Sequence, residues 1–290
     1  MDHQKTMSSK ETFPDAFTEF EEFDNCPMCH GANFKLYDQP TVQLCADCGL
    51  FFHSPCPTQQ EIKRSYDSGA TYEAWSHAID NHKRQFRVRL NHILPHAATG
   101  RLLDVGMGSG LFLKEAVAAG FEVEGTELAE PGLEAAHEFG FAVHNGQLTD
   151  IDFGMRRYDV ISMWHVLEHV PNPGTVLKKI FELLNPGGVF AVAVPNESKR
   201  LILHQLNRLG GVPVWDWGWG TEIHLNHFFP QTLRKHLQKI GFEILDFGMD
   251  DVYPDTSLRS RAIITGHNVS SKIFRWNFGQ DMYFICRRPL

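Results

Sequence analysis

From residue 101 onward, short apolar runs alternate with stretches whose apolar residues recur every three or four positions. The runs at 101–105, 121–126, 141–144, 158–164 and 189–194 predict buried strands, and the stretches between them predict helices. The clearest helix covers 174–184, where Leu177, Ile180, Phe181 and Leu184 share one face ahead of the turn Asn185-Pro186-Gly187-Gly188. After residue 195 the spacing loosens. A helix then begins at Pro230, carries Leu233, Leu237 and Ile240, and stops at Gly241, the residue type that favours a helix C-terminus. Strands near 242–248 and 281–287 follow. Strand and helix in alternation predict an α/β domain, a mainly parallel sheet covered on both faces.

The first hundred residues follow a different pattern. Phe13, Phe17, Phe20 and Phe23 recur among acids at helical spacing, which predicts a tail over 1–24 whose later part docks on the body. Residues 58–98 read as a helical linker, opened by a capping box from Thr58 to Glu61. In that linker Tyr66, Tyr72 and Trp75 are expected to pack between helices, with a substrate mouth as the alternative. The basic run His82 to Arg89 reads as a solvated face. The main domain then spans 99–290, with a lid insertion near 197–230.

Between tail and linker, residues 25–57 hold Cys26-Pro27-Met28-Cys29, an interval of 15 residues, and Cys45-Ala46-Asp47-Cys48. Two such pairs fold as knuckles that offer four thiolates in a tetrahedron, the geometry of structural zinc. Four independent buried or redox cysteines are the alternative. A module this small needs the metal for its folding energy, so the expected zinc is a staple rather than a catalyst. Cys56 and Cys286 are read as core residues.

Composition narrows the function. The chain has 42% hydrophobic and 21% charged residues and no apolar run of membrane-spanning length, which predicts a soluble protein. Its start, Met1-Asp2-His3-Gln4-Lys5, lacks a secretory pattern, so a cytoplasmic location is expected. A net charge of −8 disfavours a large nucleic-acid footprint, which draws on Lys and Arg.

The chemistry is concentrated at Leu103-Asp104-Val105-Gly106-Met107-Gly108-Ser109-Gly110, a buried strand running into a glycine turn. Such a turn lets backbone approach a ligand and aims helix N–H groups at an anion. A dinucleotide fingerprint would need glycine at 111, where this chain has Leu111. The next strand ends in Glu127, about twenty residues beyond the first glycine, where a carboxylate can accept ribose hydroxyls.

Together with Tyr158-Asp159-Val160-Ile161, His165-Val166-Leu167-Glu168-His169-Val170 and Leu184-Asn185-Pro186-Gly187-Gly188, these residues resemble the class I S-adenosylmethionine-dependent methyltransferases, in the branch with small-molecule or glycan acceptors. The resemblance covers about residues 100–245. It implies a Rossmann-like seven-stranded sheet in the order 3-2-1-4-5-7-6 with the last strand antiparallel; an N-terminal zinc ribbon is common in such proteins. It also implies S-adenosylmethionine held by Gly106, Met107, Gly108, Gly110, Glu127 and Leu128, with Asp104 ordering the turn. Trp164 and His165 would sit beside the sulfonium. The Asp that often contacts adenine is replaced here by Asn145-Gly146-Gln147-Leu148, so Gln147 and Leu148 are expected in that role.

The acceptor side is less regular. His224 is the first choice for a general base, with His165, Glu222 and His227 as further candidates and His169 beside them. Trp215, Trp217 and Trp219 suit a ring-stacking pocket for a saccharide or aromatic acceptor, or the packing of a lid. Residues 199–209 form an amphipathic lid helix in this reading, with peripheral membrane contact as the alternative. Two rival functions stay open: an RNA methyltransferase that grips RNA through the ribbon, and a non-catalytic cofactor-binding scaffold.

Overall fold

A computed structural model describes residues 17–37, 41–67, 79–209, 223–250 and 279–290, together with 265, 266 and 269. The expectations for residues 1–16, Tyr72, Trp75, Trp215, Trp217, Trp219 and Glu222 lie outside the described residues.

The N-terminal part contains β1 (Phe20–Glu21), β2 (Phe34–Leu36), β3 (Val42–Cys45), β4 (Phe51–His53) and β5 (Cys56–Pro57). Helices α1 (Gln59–Asp67) and α2 (Ile79–Ile93) follow. The main body runs β6 (Arg101–Val105), α3 (Leu111–Ala118), β7 (Glu122–Glu127), α4 (Glu130–Phe139), β8 (Ala142–Asn145) and β9 (Tyr158–Trp164). A 3-10 turn, Leu167–His169, leads to α5 (Pro173–Leu183) and β10 (Leu184–Pro195). The chain then forms α6 (Ser198–Leu209), β11 (Asn226–His227), α7 (Pro230–Ile240), β12 (Glu243–Met249) and β13 (Asp281–Arg287).

Seven strands make one sheet in the order β12-β13-β10-β9-β6-β7-β8, with β13 antiparallel to both neighbours. Counted along the main body, this is the expected order 3-2-1-4-5-7-6. The central strands are buried on both faces, as their unbroken apolar runs require. Alternate residues feed two cores: Leu103, Ile161 and Phe190 pack with α5 and α7, and Leu102, Val160 and Ala191 with α2 and α3.

The N-terminal residues differ from expectation in two ways. Around Phe20 the chain is a strand paired with β5, not a helix, because extended backbone can bond to the chain leaving the cysteine module. Only half of the capping box forms. The Glu61 N–H donates to Thr58 Oγ1 at 3.5 Å, while the Glu61 carboxylate turns to Thr18, accepting from its N–H at 3.2 Å and its hydroxyl at 3.0 Å.

A second sheet, β11-β4-β3-β2, joins the cysteine module to a strand whose Asn226 pairs with Phe52. The module also enters the main core: Cys26, Met28, Cys48 and Phe52 belong to the cluster that holds Leu103 and Ile161. At the start of α5, the Gly174 N–H donates to the Pro27 carbonyl at 3.2 Å, and a Cβ at 174 would lie 2.1 Å from the Met28 oxygen. No helix among the described residues is long and apolar enough to cross a membrane.

Candidate active site

A cavity of about 640 Å³ opens at the carboxyl ends of β6, β7, β9 and β10. This is where the strand order reverses, and where open α/β sheets hold ligands. One half is built by the glycine turn. Gly106 has φ 68°, and a Cβ there would lie 2.6 Å from Val166, so only glycine fits. The Gly106 N–H donates to Thr126 Oγ1 at 3.2 Å and the Gly108 N–H to Glu127 Oε2 at 2.9 Å. Glu127 Oε1 accepts from the N–H groups of Leu128 at 2.7 Å and Ala129 at 2.9 Å. Glu127 is thereby fixed on the turn, with one Oε2 lone pair left for a further donor.

Leu128, Gln147, Leu148 and Trp164 line the same half. The Arg89 guanidinium lies 4.9 Å over the Trp164 ring, and the buried Trp164 Nε1 has no hydrogen-bond partner among the described residues. Met107 turns its side chain beneath β7 against Gly125. Gly110 does not line the cavity; it caps α3 in a left-handed conformation, near Phe139 and Phe141. Asp104 is buried and accepts from Ser162 Oγ at 2.7 Å, a bond across the sheet rather than to the turn. Burial pushes its carboxyl up to about 7.

The other half carries the histidines. His165, with φ 55°, faces Asp250 Oδ2 through Nε2 at 3.1 Å and Glu168 Oε1 through Nδ1 at 3.5 Å. Burial opposes its charge, but the two carboxylates raise its pKa to about 10. Both ring nitrogens of His165 thus face carboxylates of the protein. Asp250 is held by Arg89 Nε at 3.0 Å, and both residues are buried. Arg89 thus leaves the solvated face expected of its basic run, because it shares the inward side of α2 with Leu90 and Ile93.

His169 and His224 line the cavity with ring centroids 5.0 Å apart. Tyr66 also lines it, edge-on to His169, instead of only packing between helices. His227 does not line the cavity. It is buried in β11, with Nε2 3.2 Å from His53 Nε2 and Nδ1 3.6 Å from Glu197 Oε1, and burial lowers its pKa. A proton acceptor enclosed in that way cannot reach a substrate. Sequence reasoning missed Arg89, Asp250 and Glu197; the last lines the cavity just beyond β10, a strand end where polar residues after an apolar run are the available signal.

Two groups among the described residues have the donor sets of metal sites. Cys26, Cys29, Cys45 and Cys48 bring their sulfurs within 4.8 Å of one another, with Cys26–Cys48 and Cys29–Cys45 at 3.6 Å. A tetrahedral zinc with sulfurs at about 2.3 Å needs them about 3.8 Å apart, so the cluster fits that ion. The second group is Glu168, His169 and His224, also within 4.8 Å.

Residues 76–246 match a family model described as a methyltransferase domain. A ubiquinone biosynthesis O-methyltransferase of Marinobacter nauticus is 29% identical over 54% of this chain and 70% of its own length. One from Proteus mirabilis is 32% identical over 39% of this chain and 50% of its own length, so the chain spans only half of that relative. Among solved structures, magnesium protoporphyrin IX methyltransferase from Synechocystis, with bound S-adenosylhomocysteine, aligns with TM-score 0.54 at 13% identity, over 80% of this chain and 100% of that one. That likeness is one of fold.

Proposed function

The chain belongs to the methyltransferase-domain family and is an S-adenosylmethionine-dependent methyltransferase, and from that premise we propose that it methylates an ionisable hydroxyl on a small molecule. The observation that carries this reading is that a single cavity joins the glycine-turn half to the half lined by His169 and His224. When bound, S-adenosylmethionine supplies a methyl group on a positively charged sulfur. Gly106, Gly108, Glu127, Leu128, Gln147, Leu148 and Trp164 are the residues that would hold it; the close backbone approach at Gly106 and a Trp164 Nε1 without a hydrogen-bond partner among the described residues fit such a ligand.

Alignment and exclusion of water carry most of an in-line displacement, and the buried walls around Trp164 and Leu148 serve both. The hydroxyl's proton goes to His224 or to His169 Nε2. His169 Nδ1 faces the Ile223 carbonyl at 2.6 Å and must donate to it, which leaves Nε2 as the basic nitrogen. The oxygen acceptor is supported by the two relatives, both named O-methyltransferases. The residues behind a saccharide acceptor, Trp215, Trp217 and Trp219, lie outside the described ones. Zinc in the four-cysteine cluster is read as structural, and thiolates kept for a metal suit the reducing cytoplasm expected for this chain.

The test is incubation with methyl-labelled S-adenosylmethionine and a panel of hydroxylated aromatic acceptors. Label on an acceptor oxygen is expected, and Glu127→Ala should weaken S-adenosylhomocysteine binding by about 10- to 100-fold, the loss of charge-assisted hydrogen bonds. Intact binding with label only on nitrogen or carbon would overturn the oxygen acceptor.

A further inference from the structure

Glu197 follows β10 and lines the cavity, yet it is 2% exposed. Its backbone is pinned on both sides: its N–H donates to the Phe228 carbonyl at 3.1 Å, and its carbonyl accepts from the Leu201 N–H at 2.9 Å. Leu201 in turn packs on Val42 and Phe51 of the cysteine module. The carboxylate is held less tightly. Among the described residues its nearest side-chain donors are Arg200 Nη1, 3.4 Å from both oxygens, and His227 Nδ1, 3.6 Å from Oε1. A charge-assisted bond to a carboxylate is ordinarily about 2.7–2.9 Å long.

Behind Glu197 runs a buried chain of side chains. Thr41 Oγ1 lies 3.0 Å from His53 Nδ1, and His53 Nε2 lies 3.2 Å from His227 Nε2. Burial opposes charge on Glu197, but His227 and Arg200 hold its carboxyl below the ordinary value, so it is ionised and can only accept. That fixes the direction of the chain. His227, kept neutral by burial, turns Nδ1–H to Glu197 and accepts the His53 Nε2–H at its own Nε2. His53 Nδ1 then accepts from the Thr41 hydroxyl. Each hydrogen in the row is aimed towards the cavity.

We propose that Glu197 binds the acceptor, taking a neutral O–H or N–H donor away from the oxygen that is methylated, and that His53 and His227 are positioning residues that aim it from the cysteine module. A neutral donor follows from the contacts already present. Arg200 supplies a counter-charge, whereas a short hydrogen bond is what the carboxylate lacks among the described residues. The same buried anion repels an acceptor that carries a carboxylate at that place. The inference rests on the reading of a hydroxyl acceptor and gives that acceptor a second point of attachment.

The experiment is calorimetric binding to the full chain loaded with S-adenosylhomocysteine, with meta- and para-hydroxybenzamide set against the hydroxybenzoates of the same shape. The unmodified protein should bind at least one amide about tenfold or more tightly than its carboxylate, the effect of one charge-assisted hydrogen bond. Glu197→Gln should lose most of that preference and keep its affinity for S-adenosylhomocysteine. His227→Leu should lose it too, and His227→Asn, which keeps an N–H on the Nδ1 side, should restore it. A purely structural role would lower stability and leave the ratio of amide to carboxylate alone. No amide binding at millimolar concentration, no preference in the unmodified protein, or a preference that survives Glu197→Gln overturns the site. Where Glu197→Gln fails to fold, Glu197→Asp, which shortens the reach, carries the same expectation. In the same protein supplied with methyl-labelled S-adenosylmethionine, label only on nitrogen or carbon with the preference intact sinks the hydroxyl reading and keeps the site. Oxygen label at equal rates from amide and carboxylate sinks the site and keeps that reading.

Discussion

Asp104 shows what a single residue can hide. In the sequence it is the acid before a glycine turn; in the fold it is buried in β6 with Ser162 as its hydrogen-bond donor. Because its folded pKa is raised from 3.8 to about 7, the native state holds its proton more tightly than the unfolded chain. The resulting stabilisation is complete below pH 4 and is lost as pH rises through 7, about 4 kcal/mol at most. Asp104→Asn keeps the acceptor for Ser162 and stays neutral. Its melting temperature should therefore change less between pH 5 and 8 than that of the unchanged protein, and parallel curves by calorimetry would refute this. His165 gives the complementary lesson. A histidine after a strand is a fair candidate base by residue type, but its partner Asp250 is 85 residues away, and that distant carboxylate favours the charged ring.

Most elements were legible because their signals are local. β6, β9 and β13 match the apolar runs residue for residue, and α5 and α7 match the helical spacing to within one residue. β10 begins earlier than expected, at Leu184, because that residue pairs with Tyr158 across a register shift before the ladder resumes at Val189. Less legible were surfaces shared between elements. Arg89 reads as solvent-facing in a run of charges, and only its face of α2, together with Asp250 after β12, reveals it as buried. The Gly174 contact belongs to this class, since nothing near residue 174 announces a carbonyl from residue 28. Gly174→Ala should push α5 from the cysteine module and destabilise the protein by about 1–3 kcal/mol with S-adenosylhomocysteine binding retained at low temperature. Denaturant melts would test it, and an unchanged midpoint would show that the knuckle yields freely.

At the scale of the molecule, the cysteine module and the main body share one core. Stripping the expected zinc should therefore lower a single melting transition. If even a third of the roughly 10–16 kcal/mol of structural zinc binding is lost, a drop of about 7–21 °C follows for a body of this size. Two separate transitions, with the upper one unmoved by chelator, would show that the parts fold independently. The small sheet also orders events during synthesis. His53 in β4 meets His227 in β11, 174 residues later, so at about 5–20 residues per second the ribosome needs roughly 10–35 s to deliver that partner. Through that interval the β4 edge, with Phe51 and Phe52, waits open, while β6 to β10 are made. A sheet begun at β2 closes only after most of the main sheet has been made, and a nascent chain stalled before residue 226 would carry an exposed edge.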